Sequence, residues 1–176
     1  MIRWIVCVLL LLTPRGLSAQ ERPPTPVAIE AARVIAEYAR RFELVPAGAL
    51  VSRGQYIISC GTVSPCDRLV SSEEHPDGAV EAMRRAIGGD VADVRRTGAC
   101  PPAGGTRECP SARQRPILAI GAGEASGDGW TFQVAVFTAD PAGRYGVSMQ
   151  DDLKILVLPR PDGPGWFVRS ASRTVP

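Results

Sequence analysis

The sequence predicts an α+β domain, and three observations predict it. Two amphipathic helical stretches come first, strand-like alternation takes over from Pro116 onward, and Gly/Pro-rich punctuation separates the pieces. The expected architecture is an N-terminal amphipathic helix and a second helix packed on a C-terminal antiparallel sheet of about four strands, with disulfide-tied loops.

The chain opens with Arg3 ahead of an apolar run from Trp4 to Leu12. Nine apolar residues make a helix of about 14 Å, well short of a hydrocarbon core of roughly 30 Å. A short apolar run behind a basic start has the form of a secretory signal, and the small residues Ser18 and Ala19 suit a cut after Ala19. Residues 1–19 are therefore expected to be a signal peptide and residues 20–176 one exported domain, periplasmic or secreted, without stable membrane insertion. Cys7 follows Val6 inside the apolar run, which does not suit a lipid-attachment site. Lys154 is the only lysine, asparagine is absent, and 18 Gly and 16 Pro accompany them. That usage is expected of a GC-rich bacterial genome.

Removing the leader also removes Arg3 and Arg15, which takes 20 Lys and Arg to 18 against 18 Asp and Glu. Nucleic-acid binding depends on a net basic face that displaces counterions. A balanced domain argues against that class, and the pairs Arg84–Arg85 and Arg95–Arg96 read as solvated faces.

After Glu21–Pro24, Thr25 is placed to cap a helix whose first position suits Pro26. Val27, Ala31, Val34, Ile35, Tyr38 and Phe42 then share one face, while Glu30, Arg33, Glu37, Arg40 and Arg41 occupy the other with Glu–Arg pairs at helical spacing. Pro46 and Gly48 end this stretch. Tyr56, Ile57 and Ile58 predict a short strand running into Cys60. A second helix is expected from Pro76 or Asp77 to Ile87, with Val80, Met83 and Ile87 on one face and Gly88–Gly89 as its stop.

Four cysteines remain in the exported part: Cys60, Cys66, Cys100 and Cys109. An even count in an oxidising compartment reads as two disulfides, and three pairings exist. Local closure costs least entropy and favours Cys60–Cys66 around GTVSP and Cys100–Cys109 around PPAGGTRE. Zinc suits these spacings poorly, with His75 the only histidine, so no metal and no cofactor are expected.

Residues 97–115 read as a loop, and Ile117–Ala122 as the first strand of the sheet. Trp130, Phe132, Val134 and Val136 alternate with Thr131, Gln133 and Ala135 in a half-buried strand. Tyr145–Met149 and Leu153–Leu158 predict one bent strand broken at Gln150–Asp152. RPDGPG then supplies a turn before a last strand from Trp166 to Thr174.

The helix from Thr25, the strand GWTFQVAVF (Gly129–Phe137) and the ending GPGWFVRSASR (Gly163–Arg173) together resemble the cone-shaped α+β fold of ketosteroid isomerase and nuclear transport factor. The resemblance spans about two-thirds of the exported part and is one of element order, without a diagnostic motif. It implies a concave sheet face used for catalysis, binding or dimerisation. It places no acid or base on any position of this chain, and fold alone does not confer function.

Candidate chemistry is sparse. His75, in SSEEHPDG, is a general-base candidate whose pKa the adjoining Glu73 and Glu74 would raise. The competing reading makes Ser71 or Ser72 and the acidic residues a helix start. Asp151 and Asp152 are candidate pocket carboxylates, but strand neighbours point to opposite faces, so at most one faces inward, and a solvated strand break is the favoured account. The glycines of GAGEASGDG precede a strand rather than a helix, which suits a hairpin connection and not a phosphate loop. Trp130, Phe132, Trp166 and Phe167, with Phe137, are candidate ligand or interface aromatics, although such residues more often simply form the core of the sheet. Trp166 and Phe167 cannot share a face. The functional expectation is a non-enzymatic binding or interaction domain for a small apolar ligand or a protein partner, a second copy of the chain included. An isomerase- or hydrolase-type enzyme using a pocket carboxylate, or a structural envelope accessory protein, is the alternative.

Overall fold

The computed structural model describes residues 21–59, 67–92, 115–139 and 145–173. Among these the chain is α+β, with two helices layered on one face of a mixed seven-stranded sheet and a separate two-stranded hairpin. The order of elements is α1 (Thr25–Arg41), β1 (Leu50–Ser52), β2 (Gly54–Ser59), β3 (Asp67–Glu74), α2 (Asp77–Ile87), β4 (Val91–Ala92), β5 (Ile117–Ile120), β6 (Glu124–Ser126), β7 (Gly129–Ala139), β8 (Tyr145–Pro159) and β9 (Trp166–Arg173).

The C-terminal strands β5, β7, β8 and β9 are antiparallel, as expected, but the sheet does not stop there. It runs β4-β1-β5-β7-β8-β9, with β6 added to β7, and β1 lies parallel to both β4 and β5. The expected sheet of about four antiparallel strands is therefore corrected to a larger mixed one. Three and two residues are too few for β1 and β4 to show a period of their own. They join the sheet because a chain returning through α2 can lay β4 parallel beside β1.

α1 starts differently from its sequence signal. Pro24 is the N-cap and makes no side-chain cap, and Thr25 and Pro26 are already helical. The first turn closes through the Ala28 N–H donating to the Pro24 carbonyl at 2.9 Å. Ala31, Val34 and Ile35 are buried, and Ala32, Ala36 and Ala39 widen that face. Such a width suits a helix with the sheet beneath and α2 on its flank. Phe42 falls outside the face and is 55 % exposed, its ring tilted against that of Tyr38 with centroids 4.4 Å apart.

The helix ends before Pro46. The Leu44 N–H donates to the Ala39 carbonyl (2.8 Å) and the Glu43 N–H to that of Arg40 (3.2 Å). These are the two bonds of a Schellman turn, with Glu43 at φ 56 where glycine is usual. α2 ends on Gly88, also left-handed at φ 72, as its sequence predicts.

The two helices run side by side in the same direction. Near their starts Gly78 abuts Ile29 so closely that a Cβ would lie 2.8 Å from Ile29 Cδ1. Near their ends the Arg40 guanidinium donates to the Ala86 carbonyl at 3.2 Å. Beneath them, one side of the sheet contributes Val51, Leu118, Ile120, Phe132, Val134, Val136, Leu153, Ile155 and Val157 to the main core with Ile35, Val80, Met83 and Ile87.

Candidate functional site on the sheet face away from the helices

The residues between those core positions point the other way, as strand alternation requires. There Leu50, Tyr56, Ala92, Ile117, Ala119, Ala135 and Phe137 form a second, smaller core. Following the register across the strands gives the row Ala92, Ser52, Ala119, Ala135, Asp152, every member buried. Small side chains here leave room for the Tyr56 ring, which meets Phe137 edge-on at 5.9 Å.

Tyr56 arrives through an irregularity. Leu50 and Val51 pair in parallel with Ile117 and Leu118, and Tyr56 then bridges Gly121 in the same sense. Five steps from Val51 to Tyr56 oppose three from Leu118 to Gly121, so two residues bulge out, as happens where a strand must re-aim a side chain. Gly121 permits the approach, because a Cβ would stand 2.7 Å from the Tyr56 carbonyl oxygen.

His75 lies beside this bulge. It links β3 to α2, its backbone N–H donates to the Arg53 carbonyl (3.0 Å), and Nε2 faces the Ile120 carbonyl at 2.8 Å. A carbonyl only accepts, so Nε2 carries the proton and a neutral ring leaves Nδ1 bare. Burial lowers the imidazole pKa below its ordinary value, opposed by the Ile120 hydrogen bond. The expected rise from Glu73 and Glu74 is thus overturned: both carboxylates are exposed, and Glu73 pairs with Arg22 at 2.9 Å. The helix-start reading of Ser71 and Ser72 is corrected too, because both lie within β3 and Pro76 is the N-cap.

Asp152 is fully buried in the second face, opposite Ala135, and the solvated reading does not hold for it. Just before it the ladder slips: Phe137 pairs Val147 while Ala135 pairs Asp152, so four residues of β8 oppose one of β7. The sequence places its strand break at this point. The side chain of Asp151 lies outside the described residues, as do Cys60, Cys66, Cys100 and Cys109.

The aromatics divide between the faces. Phe132 is core, and Trp130 and Trp166 pack partly buried against the same helix-side core. Phe167 takes the opposite face, half-buried beside Leu158, its register partner. Around it that face is open, with half-buried Leu156, Thr131 and Gln133 and exposed Lys154, Ser170 and Ser172. Tyr56, Ser52 and the small-residue row are the features that sequence reasoning missed. Only Tyr56 carried a signal, as an aromatic within a predicted strand.

Among the described residues no helix is long and apolar enough to cross a membrane, and no three of His, Cys, Asp and Glu are grouped to hold a metal ion. No protein-family model, curated protein or solved structure matches the chain.

Proposed function

We propose that this chain is an exported, non-enzymatic binding domain that takes an extended acidic segment of a protein partner along strand β9. One observation carries the reading: among the described residues β9 pairs on one side only, with β8, and leaves a row of backbone donors and acceptors at the sheet edge. Such an edge accepts an added strand, with specificity supplied by neighbouring side chains. Leu158 and Phe167 offer apolar contact beside the edge, and exposed Lys154, Arg169 and Arg173 supply positive charge. A second copy of the chain suits the edge less well, because two β9 strands would bring arginines together. Kinship with the cone-shaped α+β fold of ketosteroid isomerase and nuclear transport factor is part of this proposal.

The test is an NMR titration with a synthetic peptide of alternating valine and glutamate matched to β9 in length. Backbone amides of residues 166–173 should shift, and Arg169→Glu combined with Arg173→Glu should weaken binding about tenfold or more. Shifts confined to other surfaces, or none, would overturn the proposal. A concentration-dependent dimer in sedimentation that the same double variant dissolves would replace the acidic segment by a second copy.

A second reading, a small isomerase- or hydrolase-type enzyme, is favoured by the complete burial of the Asp152 carboxylate on the sheet face away from the helices. Its hydrolase form predicts turnover of an activated ester that Asp152→Asn abolishes. Equal background rates for both proteins would remove it.

A further inference from the structure

The β2–β3 hairpin belongs to the sheet only in part. Among the described residues its two strands pair with each other, and it meets the main sheet through the chain at Arg53, the bridge from Tyr56 to Gly121, the Tyr56 ring packed in the second core, and His75. His75 is the one contact of these that acid can charge, and it is the only histidine in the chain. We propose that His75 is an acid-sensitive latch: its neutral ring holds the hairpin on the sheet, and protonation loosens the hairpin from the second face.

The ring is held beside the bulge by the Arg53 and Ile120 backbone contacts, with Nε2 donating to the Ile120 carbonyl and Nδ1 unprotonated. Adding a proton places a charge at that position. The surrounding elements carry Arg53 at the β1–β2 junction, Glu73 and Glu74 on β3, Asp77 at the start of α2, and Arg22 on the lead-in to α1, while β5 carries no charge. Arg53 pairs with Asp77 and Arg22 with Glu73, each at 2.9 Å, so those carboxylates already have cationic partners. Glu74 is exposed to water, which screens it. The new charge is therefore best relieved by opening the hairpin, which returns the ring to solvent.

The sign follows from linkage. Burial lowers the pKa in the closed state, so the open state binds the proton more tightly. Closure is at full strength above the ordinary imidazole value of about 6.5 and weakens as pH falls from there toward the closed-state pKa. One proton limits the effect to about tenfold in the opening constant per pH unit.

A lone histidine makes the experiment direct. Its ring resonances are titrated by NMR while hydrogen exchange is followed at residues 54–59 and 67–74, with 130–135 and 152–157 as internal controls. The expected result is a His75 pKa below about 6.5 and a loss of hairpin protection, up to about tenfold per pH unit after correction for intrinsic exchange, that the controls do not share. His75→Gln keeps an N–H donor toward Ile120 and removes the titration, so its hairpin protection should not vary with pH. A His75 pKa at or above the ordinary value would overturn the latch. So would acid loosening that survives in His75→Gln, or that affects the controls equally. Should His75→Gln fail to fold, the ring titration and the contrast between hairpin and controls in the native chain still decide.

Discussion

The two faces of the sheet are built by different means. The helix side is a continuous core in which long elements interlock: α1 of 17 residues, α2 of 11, and strands β7 and β8 of 11 and 15. The opposite side is assembled from short pieces, a bulge, a row of small residues and one large ring folded over them. Length is what separates them. A long amphipathic element commits many side chains at once, whereas each contact of the second face depends on one or two residues. Stability is therefore expected to be global on the first face and local on the second.

The largest effect should come from the helix side. Ile35 has no exposure, and Ile35→Ala removes buried methyl groups from the centre of the helix–sheet contact. The expected loss is about 2–5 kcal/mol in chemical denaturation, with protection falling throughout the molecule. A loss confined to α1 would break the claim that this core acts as one unit.

The hairpin tip gives the next effect. Cys60 directly follows Ser59 and Cys66 directly precedes Asp67, and Ser59 and Asp67 are register partners. Both cysteines lie outside the described residues, and the local pairing expected of them is a proposal that can be tested. Closing so short a loop is worth about 2 kcal/mol. The combined replacement Cys60→Ser and Cys66→Ser should cost that much, chiefly in hairpin protection, and the native chain should gain mass on reduction. Free thiols at both positions in protein recovered from an oxidising compartment would dismiss the cross-link.

Gly121→Ala tests the close approach of β2 to β5. The new methyl meets a backbone oxygen, which cannot rotate away, so about 1–3 kcal/mol should be lost. Hydrogen exchange should rise in the hairpin and at Gly121 while α1 and α2 keep their protection. Equal losses on both faces would show the hairpin to be part of the global unit.

The same contrast explains what was legible in advance. α1, α2 and the strands β7, β8 and β9 carry enough residues for their periods to stand out, and their order alone implies helices over a sheet. β1 and β4 could not be read that way, and with them went the mixed topology. Leu50–Ser52 looks like the tail of the preceding apolar stretch, and nothing local says that it lies parallel to Ile117–Leu118, far along the chain. Asp152 illustrates the limit for sites. Two adjacent aspartates suggest solvent, and only the slipped register of β8 against β7 turns one of them inward. For His75 the limit runs the other way. Its sequence neighbours are acidic, but its ring is governed by Ile120, which arrives from another strand.

The smallest effect has the opposite sign and bears on the independence of the two faces. Glu43 closes α1 in the left-handed region at φ 56, where an L side chain crowds its own carbonyl at a cost of roughly 1–2 kcal/mol. Glycine removes that strain but loses more chain entropy on folding, roughly 0.5–1 kcal/mol. Glu43→Gly should therefore stabilise the protein by a few tenths to about 1 kcal/mol. The gain belongs to the helix layer, so denaturation midpoints and protection in α1 should rise. Hairpin openings that are local do not pass through α1, and their exchange rates should stay as they are. If the hairpin amides slow in step with α1, the two faces open together, and a latch acting on one of them has no separate motion to control.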